Sequence, residues 1–265
     1  MAIDNRFMTR KIQKLEKLYA AFCGFTNMPF VTCDEESGND QVWVFTKEDA
    51  LQAFAKQYTE KKILLKGVEL KNKDFLKFFS SLFAIGINEL VFVEEGSDFH
   101  LPLTDIVRMP DHSNLPKERQ PLLNPTLQLT GLYFMQQASR PVPNDQKEGL
   151  KDLEEELAAN LVKARYILPI EPGEGEGSIQ EKLKAKNYKL PILKDKNGNV
   201  FQPIMTDGME LEKFTKGRVM AAMVIPFTGL AGLLTKDAKG FLLNPQGFHI
   251  VLTKELLEKL PARFQ

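Results

Sequence analysis

One short motif occurs twice in this chain, and that repetition constrains the fold more than any other feature. Phe99-His100-Leu101-Pro102-Leu103-Thr104 returns as Phe248-His249-Ile250-Val251-Leu252-Thr253, with four of six positions identical. The surroundings recur as well. Val44-Phe45-Thr46 leads eight residues on to Phe54, and Ile204-Met205-Thr206 leads eight residues on to Phe214. Leu15 to Ala21 precedes Met28-Pro29-Phe30, and Leu153 to Ala159 precedes Leu168-Pro169-Ile170. The offset between matched segments drifts, which implies an insertion in the second copy near residues 171–190 and a deletion near 230. Self-similarity of this kind is read before any local pattern. It predicts two tandem α+β modules, each a mostly antiparallel sheet with packed helices. Module 1 covers residues 1–110 and module 2 covers 146–265, with a connector over 111–145.

Local patterns give each module the same order. A helix opens it, with Met8, Ile12, Leu15, Leu18 or Tyr19, and Phe22 on one stripe in module 1, and Leu150, Leu153, Leu157 and Leu161 on one stripe in module 2. A strand follows near 29–32 and 166–170. Then comes a turn, Glu36-Ser37-Gly38-Asn39-Asp40 or Asp195-Lys196-Asn197-Gly198-Asn199. Asn-Gly between apolar runs signals a hairpin. Strands near 41–45 and 200–205 lead to Thr46 and to Thr206 or Asp207, which read as helix N-caps. The run Val219–Ile225 reads as a strand buried on both faces. A closing hairpin at 89–103 turns at Gly96, and its counterpart at 240–252 turns at Pro245-Gln246-Gly247. Thr253 caps a last helix. The connector contains Asn124-Pro125, a cap followed by an N1 proline, and opens a helix there.

The segment Leu243-Asn244-Pro245-Gln246-Gly247-Phe248-His249-Ile250-Val251-Leu252 resembles the SseB (enhanced serine sensitivity) family. So do the step Met205-Thr206 before a helix ending at Phe214 and the strand Tyr166-Ile167-Leu168-Pro169-Ile170. The likeness is good over 150–262 and weaker over 8–107, where Asn244-Pro245 has no match. It implies a cytoplasmic bacterial α+β module and brings no catalytic residues with it.

Charge narrows the partners. The chain has 35 basic and 35 acidic side chains, and the balance is local: 16 and 18 over residues 1–124, 19 and 17 over the rest. Nucleic acid and anionic membranes favour a net basic surface, so neither is expected as a partner. The start Met1-Ala2-Ile3-Asp4 carries no export signal, and no apolar stretch is long enough to span a bilayer. Two cysteines ten residues apart read as reduced cytoplasmic thiols, not as a zinc pattern.

His100 and His249 stand at matched places in the repeat and, with Asn244, are the candidate binding-surface residues. Alternation places each histidine on the face opposite the preceding Phe. No Asp, Glu or Cys recurs at fixed spacing around both. No nucleophile elbow, metalloprotease, phosphate-loop or dinucleotide motif appears. No catalytic residue, cofactor or metal is expected. The sequence reading is a non-enzymatic protein-interaction or regulatory module with an unknown protein partner. The alternative is a small-molecule-binding or hydrolytic protein with a site between the modules, lined by His100 and His249.

Overall fold

The computed structural model describes residues 5–109, 111–116, 119–178, 181–182, 185 and 187–264. Met1–Asp4, read above for an export signal, lie outside these residues, as do 179, 180, 183, 184 and 186 of the inserted stretch. The protein is α+β, with mostly antiparallel sheets. It divides into two compact units. Unit 1 is Met1–Gln120 with Gln128–Glu154, and unit 2 is Pro121–Leu127 with Glu155–Gln265.

In unit 1, helix α1 (Asn5–Lys14) precedes strand β1 (Lys17–Cys23). The short strands β2 (Met28–Pro29) and β3 (Val31–Cys33) turn back into β4 (Asp40–Phe45). Helix α2 (Glu48–Thr59), edge strand β5 (Leu65–Lys71) and helix α3 (Asn72–Ala84) follow. The hairpin β6 (Glu89–Glu94) and β7 (Ser97–Pro102) leads into the single turn α4 (Leu103–Ile106). β1 runs antiparallel to β5 and β4, β3 antiparallel to β4, β4 parallel to β6, and β6 antiparallel to β7. The parallel β4–β6 pair is possible because α2, β5 and α3 supply the long crossover it needs.

Side-chain alternation gives this sheet two faces. Beneath α2, Leu51 and Phe54 pack on Phe30, Phe45, Val91 and Val93, and Trp43 stacks on Phe54 with ring centroids 4.7 Å apart. The other face buries Val42, Val44, Leu90, Phe92 and Leu101, with Met8, Ile12, Phe75, Phe79 and Leu82 from α1 and α3. Helix α3 is thus core along Phe75 and Phe79, while Leu76 faces solvent.

The connector helix α5 (Pro125–Ala138) is followed by α6 (Leu150–Lys163); both cross the division between the units. The Gln136 side chain behaves as a substitute strand partner within unit 1. Its Oε1 accepts from Val31 N at 2.9 Å, and its Nε2 donates to Val31 O at 3.0 Å.

Unit 2 runs β8 (Arg165–Pro172), β9 (Tyr188–Lys189), β10 (Leu193–Lys194), β11 (Val200–Ile204) and α7 (Gly208–Thr215). Then come β12 (Ala221–Pro226), α8 (Phe227–Leu230), β13 (Ala238–Leu243), β14 (Ile250–Thr253) and α9 (Lys254–Arg263). β8 is antiparallel to β12 and β10 to β11; β11 is parallel to β13, and β13 antiparallel to β14. A bridge between Ile167 and Met205 links β8 to the end of β11. The core gathers Ile167, Met205 and Phe214. Tyr166 is also buried, and its hydroxyl donates to Leu161 O at 2.6 Å.

Three expectations are corrected. The first helix ends at Lys14, and Leu18–Phe22 belong to β1. β1 has partners on both sides and is buried nearly along its length, so it shows no strand-like alternation to distinguish it from a buried helix. Thr46 does not cap α2. Lys47 holds the cap position with no side-chain bond, and Thr46 Oγ1 donates to Val93 O at 3.5 Å. Finally, the run Val219–Ile225 is not a strand buried on both faces. Among the described residues β12 pairs only with β8, and Met223 and Val224 are 36% and 41% exposed.

Candidate functional site

His100 sits on β7 opposite Val91. Its neighbour Phe99 turns to the other face, where its ring lies 6.2 Å from Phe92. On the histidine's own face the β6 register brings Glu89 within reach. His100 Nδ1 is 3.0 Å from Glu89 Oε2. Nδ1 also lies 3.2 Å from Gln41 Nε2, so it donates to Glu89 in one tautomer and accepts from Gln41 in the other. Gln41, on β4 opposite Glu89, donates from Nε2 to the same Oε2. Asn39 Nδ2 donates to Oε1 at 3.0 Å. Gln41 is steadied by Thr32, whose hydroxyl donates to Gln41 Oε1 at 3.4 Å and accepts from Trp43 Nε1 at 2.8 Å.

The β3–β4 turn adds a second carboxylate. Asp34 Oδ1 accepts from Glu36 N at 2.9 Å and Ser37 N at 3.4 Å. These backbone donors hold the Asp34 carboxyl below the usual carboxylate range, with the charge of nearby His100 adding a little. One donor atom from each of Asp34, Glu89 and His100 lies within 4.8 Å of the others. Glu89 is 7% exposed, whereas the His100 side chain is 47% exposed. The arrangement is a buried carboxylate under an imidazole that solvent can reach.

The other two sequence candidates lie in unit 2, in one turn. Asn244 is wholly buried, so it is not a surface residue. Its Oδ1 accepts from Thr206 N at 2.9 Å and its Nδ2 meets Thr206 Oγ1 at 2.9 Å. Thr206 Oγ1 also donates to Asp207 Oδ2 at 2.9 Å. Asp207 Oδ1 caps α7 by accepting from Met209 N and Glu210 N at 2.8 and 3.0 Å. The Met-Thr step and the Asn-Pro-x-Gly turn are therefore bonded to each other. In unit 1, Thr46 N instead donates to the Val93 carbonyl. His249 precedes β14 in a left-handed conformation (φ 43°), and its Nδ1 lies 3.2 Å from Gly247 O. His100 is inside its strand and His249 is not, so the two histidines are not ladder equivalents. The six-residue match placed them together by sequence alone.

Glu89, Gln41 and Asp34 were not singled out from the sequence. The signal for Glu89 lay in the hairpin. A turn at Glu95-Gly96 that sets Glu94 opposite Ser97 puts His100 diagonal to Glu89. Gln41 needs the parallel β4–β6 pairing, which no local pattern reports.

The second feature of note is the free edge of β12. Both end strands beside β1 and β8 are edges, but they differ in chemistry. β5 carries Lys66, Glu69 and Lys71, with Glu69 paired to Lys17 at 3.0 Å. β12 reads Ala-Ala-Met-Val-Ile-Pro and carries no charge. Charged residues are a common way of blunting an edge; β12 has none.

No protein-family model matches this chain, and no curated protein matches it. Among solved structures it is similar to one described as "Anabaena Tic22 (protein transport)", at 9% identity over 89% of this chain and 88% of that one. The TM-score is 0.22, a likeness too slight to carry an argument about fold or role.

Proposed function

We propose that this chain is a non-enzymatic, cytoplasmic protein-interaction module of the SseB kind. In this reading, unit 2 takes up an extended segment of a partner protein along the edge of β12. One observation carries it: an uncharged edge strand with exposed Met223 and Val224. Unpaired backbone groups on such an edge supply hydrogen bonds to an added strand, and the flanking side chains select its sequence. The partner segment is accordingly apolar and uncharged, and about five residues long, because Pro226 ends β12 and offers no N–H.

Two further observations support the family reading. The succession of strand pairings in unit 1 recurs in unit 2, including the parallel pair between two antiparallel ones. This favours two copies of one module. The residues of the resemblance also bond to one another through Thr206 and Asn244. The cytoplasmic placement rests on the free thiols of Cys23 and exposed Cys33. No described helix is long and apolar enough to cross a membrane.

The test is site-directed photo-crosslinking in cells, with the crosslinking amino acid at Met223 and, as control, at exposed Leu76. The expected result is crosslinks at Met223 that map to an uncharged apolar segment of another protein and disappear when Val224→Lys is added. Equal crosslinking at Leu76, persistence in Val224→Lys, or crosslinks only to a second copy of the chain would each reject the proposal.

A further inference from the structure

We propose that Asp34, Glu89 and His100 form a binding site for one zinc-class divalent cation. The inference is independent of the β12 reading.

The donor set comes first. One imidazole nitrogen and two carboxylate oxygens suit zinc and its neighbours. The imidazole argues against magnesium or calcium, which take oxygen almost exclusively. The spacing comes next. Two donors around a tetrahedral ion at about 2.0–2.1 Å stand about 3.3 Å apart. His100 Nδ1 and Glu89 Oε2 are already at 3.0 Å, and the whole set lies within 4.8 Å. Asp34 lies at the start of a surface turn, so closing the remaining gap moves a loop and not the sheet.

Charge supplies the reason for an ion here. Glu89 is 7% exposed, and among the described residues neither it nor Asp34 forms an ion pair with a Lys or Arg. Its fixed neighbours, Asn39 and Gln41, are neutral amides. Of the groups bonded to Glu89 only His100 can be cationic, and only when protonated. A divalent ion bound by both carboxylates supplies a positive charge that does not depend on that protonation.

The surrounding residues also resemble the outer shell of a metal centre. Asn39 and Gln41 orient the Glu89 carboxylate, and Thr32 and Trp43 orient Gln41. The backbone N–H groups of Glu36 and Ser37 hold one oxygen of Asp34. Such partners fix ligand direction in advance. On binding, Nδ1 and Glu89 Oε2 turn to the ion, and the ring carries its proton on Nε2. Three protein ligands leave a fourth position for water.

Among the described residues unit 2 offers no second copy of the site, since His249 lies ahead of β14 with Gly247 O beside its Nδ1. The stoichiometry is therefore one ion per chain.

Isothermal titration of the full chain with zinc chloride tests this, alongside His100→Gln, Asp34→Asn, His249→Gln and Cys33→Ser. His100 and Asp34 are not in the core, and circular dichroism verifies that both variants fold. Expected are one ion per wild-type chain, affinity weaker by about tenfold or more in His100→Gln and in Asp34→Asn, and unchanged affinity in the other two. The proposal is overturned by no binding up to about 1 mM zinc, by unchanged affinity in either ligand variant, or by an equal loss in His249→Gln or Cys33→Ser.

Discussion

Glu210 shows how a single residue in this fold holds a costly arrangement in place. It lies in the first turn of α7 and is 2% exposed. Lys213 Nζ meets its Oε1, but among the described residues its Oε2 has no hydrogen-bond partner. That oxygen lies against the Asn-Pro-Gln-Gly turn, so close that a Cβ at Gly247 would stand 3.0 Å from it. Burial pushes the Glu210 carboxyl above the ordinary range, and the charge of Asp207 adds to this, while Lys213 opposes it. The consequence for stability has a definite sign. In the unfolded chain the carboxyl ionises near about 4.3. Between that value and the higher folded value, the unfolded state has lost its proton and the folded state has kept it. Stability from this group is therefore full at low pH and falls as pH rises through the window. Glu210→Gln cannot ionise. Its stability relative to wild type should rise with pH across the window, as read by urea unfolding at a series of pH values. A difference that stays constant with pH would show that the burial of Glu210 has no linked cost.

At the scale of elements, the two units solve the same local problem unequally. α7 starts at a true cap, Asp207, which also holds Thr206. α2 starts at Lys47, whose backbone is extended (φ −126°, ψ 142°) as a cap requires, but whose side chain accepts nothing. Lys47→Ser should stabilise by about 0.5–1 kcal/mol, and Asp207→Ala should destabilise by about 1–2 kcal/mol. Trp43, the single tryptophan, packs on α2 and reports the first change by fluorescence-monitored unfolding; circular dichroism reports the second. No gain in Lys47→Ser would mean that its orphan N–H groups are already satisfied by water. A cap at Thr206 or Asp207 was legible in the sequence because capping is local, and Asp207 takes it; so was the Thr253 cap of α9, whose Oγ1 accepts from Leu256 N at 3.2 Å. The Asp195 turn was legible for the same reason, its carboxylate accepting from Asn197 N and Asn199 N. β1 and β12 were not. β1 is central and, after Lys17, carries no charged residue, so its residues fit a helical stripe equally well. β12 is as apolar as a central strand, and only its place in the sheet makes it an edge. His100 was legible as a residue on the opposite face from Phe99. Its partners were only partly so: Glu89 follows from the register of the same hairpin, eleven residues away, whereas Gln41 arrives through strand pairing fifty-nine residues apart.

For the whole molecule, the charge balance acquires a specific meaning. Equal numbers of 35 basic and 35 acidic groups leave no long-range field to draw a charged partner in. The patch proposed to receive a partner is uncharged as well. Of the charged residues just before β12, Arg218 is occupied, reaching Glu171 at 3.5 Å and lying 5.6 Å over the Phe214 ring. Binding along β12 would then rest on backbone hydrogen bonds and apolar contact, and neither is screened by ions. A partner held by charge behaves in the opposite way, because exposed charge pairs are screened once the Debye length falls below their separation. Crosslinking at Met223 should therefore change less than about twofold when lysates are brought from about 0.05 M to about 0.5 M salt. A steep loss over that range would place the partner on a charged surface elsewhere, and β12 would then be an edge protected by its short length and closing proline alone.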